Sequence, residues 1–228
     1  MKEGEFQKDR KDAIRSAYRM TGSNIFYDGM MTCSTLPGKA VCRLVWAMNK
    51  ADCEKYQDAA MAGIPENFAG RLLEVPVGTG ILTMPLYQTL PDADVTCLDY
   101  SPDMMAQARE KAERMGLENV TFRQGDVGAL PFDDASFDAV LSLNGFHAFP
   151  DKEAAYREVR RVLRRDGVFM ICNECGGDGC GENWEKVVSG MTVYSGEQLR
   201  DTLERAGFSG IRLHTNSRGW LCATAKNE

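Results

Sequence analysis

Two glycines and two carboxylates stand at spacings that suit a bound cofactor. In "RLLEVPVGTGILT" (Arg71 to Thr83), Glu74 closes an apolar run and Gly78 and Gly80 follow it. Glycines at such a point let the chain turn sharply and bring its backbone against a ligand. A helix expected directly afterwards would aim its free amides at the same place. Asp99 ends a second apolar run nineteen residues after Gly80. An acid about 20 residues beyond a glycine turn is placed to accept hydrogen bonds from a ribose. Turn and acid together point to an adenosine-containing cofactor.

Two details separate the cofactors that fit. A dinucleotide turn needs a third glycine so that the pyrophosphate can rest on the helix N-terminus, and Thr83 occupies that position. Glu74 would also face a pyrophosphate unfavourably, whereas it suits a positive group. The ammonium and sulfonium of S-adenosylmethionine supply such a group.

These residues need a frame, and the sequence supplies one from Leu72 onward. Short β-like runs ("RLLEV", "DVTCLD", "NVTFRQ", "FDAVLSL", "GVFMICN", "GIRLHT", "WLCATAK") alternate with helical patterns ("ILTMPLYQTL", "SPDMMAQAREKAERMG", "DKEAAYREVRRVLRRDG", "SGEQLRDTLERAGF"). Ser101-Pro102 starts one helix and Gly116 ends it; Asp151 and Ser195 cap two more, with Gly167 and Gly207 as their stops. Alternation of this kind predicts an α/β fold, doubly wound, with a mostly parallel seven-stranded sheet over residues 71–228. Residues 1–70 read instead as an N-terminal helical appendage, with helices near Phe6–Tyr18 and Ala40–Ala62 joined by a turn-rich stretch. The expected role of this segment is a lid over the ligand-binding edge.

Composition narrows the partners. A net charge of -6 argues against nucleic acid, since phosphate binding needs a positive footprint. The basic stretch "REVRRVLRRDG" reads as a solvated helix face. No apolar run reaches the length of a membrane span, and "MKEGEFQKDRKDAIR" lacks a signal-peptide core. The expectation is a cytoplasmic protein whose 8 cysteines are mostly free thiols. Cys172, Cys175 and Cys180 form C-x2-C-x4-C, yet no fourth ligand lies nearby, so no metal site is expected.

The chain from about Leu72 to Lys226 resembles class I S-adenosylmethionine-dependent methyltransferases, nearest the small-molecule branch of ubiquinone/menaquinone-biosynthesis type. "LLEVPVGTG", "VTCLDYSPDMMAQARE", "FRQGDVGALPFDDASFDAVLSLNGFHAFPD" and "REVRRVLRRDGVFMI" carry the likeness in order. "SLNGFHAF" departs from the quinone branch, and Pro76 replaces the first glycine of the family's acid-x-Gly-x-Gly-x-Gly. The resemblance implies a cofactor site made of Glu74, Pro76, Val77, Gly78, Gly80, Asp99, Tyr100, Asp126, Val127 and Asn144. In it Asp99 binds the ribose, Tyr100 lies against the adenine, and Asp126 with the Val127 amide takes the adenine edge. Asn144 lies near the methionine part, with Gly145 leaving room beside it. Proline lacks an amide hydrogen but keeps its carbonyl as an acceptor for the cofactor's ammonium.

The reaction asks little of side chains, because a sulfonium methyl is already activated and alignment in a dry pocket does most of the work. His147 and Tyr27 are the candidates for a general base, and His147 also reads as a simple helix-start residue. "NIFYDGMM" could roof an acceptor pocket. The function expected is methyl transfer from S-adenosylmethionine to a small molecule. Open beside it stand a non-catalytic protein binding S-adenosylmethionine or S-adenosylhomocysteine, a methyltransferase for a thiophilic metalloid held by Cys33 and the later cysteines, and a nucleotide-dependent oxidoreductase.

Overall fold

A computed structural model of the chain describes residues 35–36, 38–40, 50–146, 149–174, 194–216 and 220–228. Its elements run α1 (Lys50–Ala60), β1 (Arg71–Glu74), α2 (Met84–Tyr87), β2 (Asp94–Asp99), α3 (Pro102–Met115) and β3 (Val120–Gln124). They continue with β4 (Phe137–Leu143), α4 (Lys152–Val162), β5 (Leu163–Glu174), α5 (Gly196–Arg205), β6 (Phe208–Asn216) and β7 (Trp220–Asn227). The seven strands form one sheet in the order β3-β2-β1-β4-β5-β7-β6. The expected α/β fold is borne out.

All pairings from β3 through β5 are parallel, and β7 runs antiparallel between β5 and β6. The reversal follows from the sequence: only residues 216–219 separate "GIRLHT" from "WLCATAK", too few for the crossover that a parallel neighbour requires. Strand order turns outward in both directions from β1 and β4, so the switch point falls between them.

Period-2 alternation divides the core into two layers. Leu72, Val95, Cys97, Leu141, Met170 and Cys172 face one side, with Tyr56 and Ala60 of α1 packed there. Leu73, Leu98, Val140, Phe169 and Ile171 face the other and bury the apolar stripes of α4 and α5. The observed α1 lies inside the helix expected over Ala40–Ala62, whereas Phe6–Tyr18 lies outside the described residues.

Three of the caps are formed as expected. Ser101 accepts from the Met104 amide at 3.4 Å with Pro102 in the first turn, and Asp151 accepts from the Ala154 amide at 2.8 Å. Ser195 and Gln198 form a reciprocal capping box. Gly116 (φ 66°) and Gly207 (φ 88°) take the left-handed conformations that stop α3 and follow α5.

Two helices are shorter than expected. The pattern "ILTMPLYQTL" yields a single turn, Met84–Tyr87, because Pro85 cannot donate to a preceding turn and the Thr89 hydroxyl takes the Leu86 carbonyl at 2.7 Å. Helix α4 stops at Val162, not at Gly167. Its last carbonyls are taken from outside: Ala135 and Ser136 donate to Arg161 and Val162 at 2.9 and 2.8 Å. Asn227 donates to the carbonyls of Arg160, Leu163 and Arg164. Leu163 is thereby extended and joins the sheet opposite Phe137.

Of the basic stretch, Arg161 is not simply solvated. Its guanidinium pairs with Glu158 and Asp134 and donates to the carbonyls of Leu130 and Phe132, which ties α4 to the loop before β4.

Candidate functional site

The carboxyl ends of β1, β2 and β4 and the segment after β3 open into one cavity at the switch point. Its lining includes Glu74, Pro76, Val77, Gly78, Gly80, Asp99, Tyr100, Asp126, Val127 and Asn144, so all ten expected cofactor residues meet there. His147 and Tyr27 lie outside the described residues, as do Cys33, Cys175 and Cys180.

The turn after β1 is held by the sheet itself. Val75 donates to the Leu141 carbonyl and Val77 to the Leu98 carbonyl, each at 2.9 Å. Between them stands Pro76, after a cis peptide bond. Its ring lies against Gly145, where any Cβ would overlap it. The room expected at Gly145 for a ligand is therefore filled by the proline. Gly78 (φ 57°) and Gly80 (φ 67°) both adopt the left-handed conformation. A Cβ at Gly78 would meet nothing within 4 Å, whereas one at Gly80 would press on Met84 and Ala108. Gly78 is thus the open face of the turn, and Gly80 the packed one.

Asp99, only 6% exposed, holds this turn in place. One carboxylate oxygen accepts from the Gly78 amide and the other from the Ser101 amide, both at 2.8 Å. Burial raises its carboxyl above the usual range, and the amides of Ser101, Gly78 and Tyr100 work against that rise. The two oxygens together offer about four acceptor sites, so acceptor capacity remains beyond these amides. Tyr100 follows on the rim, 49% exposed, an aromatic face open to a planar ligand. Asp126 accepts from the Gly128 amide at 2.9 Å in a tight turn next to buried Val127.

Glu74 lies deepest. It is 1% exposed and accepts from the Tyr87 hydroxyl at 2.8 Å and the Cys97 thiol at 3.5 Å. Burial pushes its pKa up to about 8; the bonds from Tyr87 and Cys97 oppose the rise and nearby Asp99 adds to it. A neutral carboxyl here can ionise when a cation enters the cavity beside it.

Asn144 leaves β4 at φ 52°, its amide bonded to the Cys172 carbonyl at 2.8 Å. Its side-chain Oδ1 accepts from the Tyr56 hydroxyl at 2.6 Å. Tyr56 is the residue that sequence reasoning missed. The available signal was its spacing of four from Ala60, which puts the two on one face of a helix that also carries Lys50, Asp52, Glu54, Lys55 and Asp58.

Cys172 points into the core opposite Cys222, with its thiol pKa raised by burial, which removes it from any thiol cluster in the following loop. Among the described residues no group of three or more His, Cys, Asp or Glu could hold a metal ion.

The residues present fit a cofactor that is cationic at one end and carries a sugar and a base. Among the described residues, three carboxyl groups, from Glu74, Asp99 and Asp126, line the cavity, and no lysine or arginine does. That set accepts hydrogen bonds and attracts positive charge, the reverse of what a pyrophosphate needs.

Comparison with known proteins agrees with this chemistry. Residues 72–167 match the family model described as a methyltransferase domain. A demethylmenaquinone methyltransferase of Thermus thermophilus is 45% identical over 101 residues, covering 44% of this chain and 46% of that protein. A phosphatidylethanolamine N-methyltransferase of Cereibacter sphaeroides is 45% identical over 105 residues, covering 46% and 50%. The chain thus spans about half the length of the curated relatives it matches. A Thermotoga maritima structure titled as a possible histamine N-methyltransferase shares the fold, with TM-score 0.65 and 19% identity, covering 90% of this chain and 100% of that one. The resemblance to class I S-adenosylmethionine-dependent methyltransferases is borne out over the matched segment.

Proposed function

We propose that this chain, through its methyltransferase-type domain, binds S-adenosylmethionine in the cavity at the β1–β4 switch point and directs its methyl group to a small-molecule acceptor. The observation that carries the reading is the run of Glu74, Asp99 and Asp126 around a glycine turn open at Gly78. The cofactor, when bound, supplies an activated methyl on a sulfonium.

The chain's own residues bind, orient and exclude water. Asp99 keeps the Gly78 turn open while its remaining lone pairs accept from the ribose hydroxyls. Glu74 and the carbonyl of Pro76 take the ammonium, with the glutamyl proton leaving as the cation arrives. Tyr100 covers the adenine, and Asp126 accepts from its amino group. Buried Val77, Leu143 and Phe149 line the cavity with apolar surface, which strengthens each of these electrostatic contacts. The names of the two curated relatives favour a lipid-soluble acceptor.

Calorimetric titration with S-adenosylhomocysteine tests the reading. The intact chain is expected to bind it in preference to NAD. Asp99→Ala removes hydrogen bonds to a charged group, worth ~1.5–3 kcal/mol, or about ten- to 150-fold in affinity. Absence of binding by the unaltered chain, or tighter binding of NAD, would overturn it.

A further inference from the structure

The fold absorbs only part of the basic stretch on α4. Arg161 is committed to Glu158 and Asp134, and Arg164 to Asp138. Arg157 and Arg160 are exposed, and neither forms an ion pair among the described residues. An arginine in the last turn of a helix often serves its terminal carbonyls. Here that duty is already filled, by Asn227 at the carbonyls of Arg160, Leu163 and Arg164 and by Ala135 and Ser136 at those of Arg161 and Val162. The Arg160 side chain crosses instead to the end of α5, where a Cβ on Gly207 would come within 2.8 Å of its guanidinium carbon. Arg205 approaches from α5 itself. It is exposed, and its bonds stay local, to the Asp201 carbonyl at 3.3 Å and the Thr202 hydroxyl at 3.4 Å.

Glu153, Arg157 and Arg160 recur at i, i+4 and i+7 along α4, and Thr202 and Arg205 at i and i+3 along α5. Both rows line one groove of about 680 Å³ between the helices. Glu153 is its one carboxylate among the described residues, so three uncommitted guanidiniums gather there in a chain whose net charge is -6. We propose that this groove is a binding site for a free phosphate ion or a small phosphate ester, held by Arg157, Arg160 and Arg205. A phosphate monoester presents three acceptor oxygens and a charge of about -1.5 to -2 at pH 7. The planar fork of a guanidinium matches such oxygens in pairs. A concave groove of this volume suits a small molecule better than a flat surface. The site is separate from the cofactor cavity: Phe149 and Pro150, just before α4, line that cavity, whereas Arg160 stands in the last turn of the same helix.

The test follows the phosphorus NMR signal of inorganic phosphate as the full chain is added, at an ionic strength fixed with sodium chloride. The unaltered chain is expected to shift and broaden the signal saturably. Arg160→Gln and Arg205→Gln should each weaken binding about two- to fivefold, the worth of one exposed ion pair. The triple variant R157Q/R160Q/R205Q should weaken it by more than about tenfold, since three such pairs multiply. Arg114→Gln, which removes the same charge from exposed α3, should leave binding unchanged. No saturable binding, full binding by the triple variant, or an equal loss in Arg114→Gln would each overturn the proposal. Displacement of phosphate by S-adenosylhomocysteine would place the ion in the cofactor cavity and overturn it too. So would capture of the chain by vesicles containing phosphatidic acid without binding of inorganic phosphate, which would make the groove a membrane contact.

Discussion

Glu74 shows how one residue can be read correctly for sign and incompletely for state. Its place before a glycine turn marks it as a partner for a cation, and that much is visible in the chain order. Its surroundings of Tyr87, Cys97 and full burial are not visible there, because β2 and α2 bring them from positions 97 and 87. The consequence is a pKa of about 8 in place of the ordinary 4.5. The folded protein then keeps a proton between about pH 4.5 and 8 that the unfolded chain has lost. Stability supplied by that proton is fully present below pH 4.5 and is lost as pH rises through 8. Chemical denaturation at several pH values should show this decline in the unliganded chain, and Glu74→Gln should flatten it. An equally steep decline in both proteins would remove Glu74 as its source. With the cofactor's ammonium in place the carboxyl should ionise, so binding near pH 7 should release a proton that Glu74→Gln does not release.

At the scale of elements, the β1 turn and the end of β4 are one unit. The ring of Pro76 occupies the space that Gly145 leaves, so each residue type explains the other. Proline at 76 suits the site because the amides on either side, at Val75 and Val77, already bond to β4 and β2. Gly145→Ala is expected to cost ~1–3 kcal/mol of stability by overpacking and to weaken S-adenosylhomocysteine by displacing the turn. Adding Pro76→Gly should recover part of both losses, measured as a double-mutant cycle. Additive losses would show that the two residues do not meet. The caps at Ser101, Asp151 and Ser195 were legible because each acts within four residues of itself. The end of α4 was not. Asn227 and the loop at 135–136 compete for its carbonyls, and neither is a neighbour in sequence.

For the whole molecule, the site is assembled from strand ends that the fold brings together and has no rigid existence without it. Ligand binding should therefore stabilise the entire domain. At S-adenosylhomocysteine concentrations 100-fold above its Kd, linkage gives ~2.7 kcal/mol, which for a chain of this size raises the melting temperature by roughly 5–10 °C. Calorimetric or fluorescence melting curves measure it directly. Asp99→Ala should show a much smaller rise at the same ligand concentration. A full-sized rise in that variant would place the ligand away from the β2 end.

The sequence alone determined the layered α/β architecture, since helix and strand periods, caps and turn glycines are local properties of the chain. It also, through the family resemblance, pointed to ten expected cofactor residues, which the fold brings together to line one cavity. Tertiary structure alone decided that the Tyr56 hydroxyl donates to Asn144, that Pro76 fills Gly145's space and that α4 yields to β5 at Leu163. Each of those outcomes depends on contacts between residues far apart in the chain, where no period or spacing carries information about which atoms will meet.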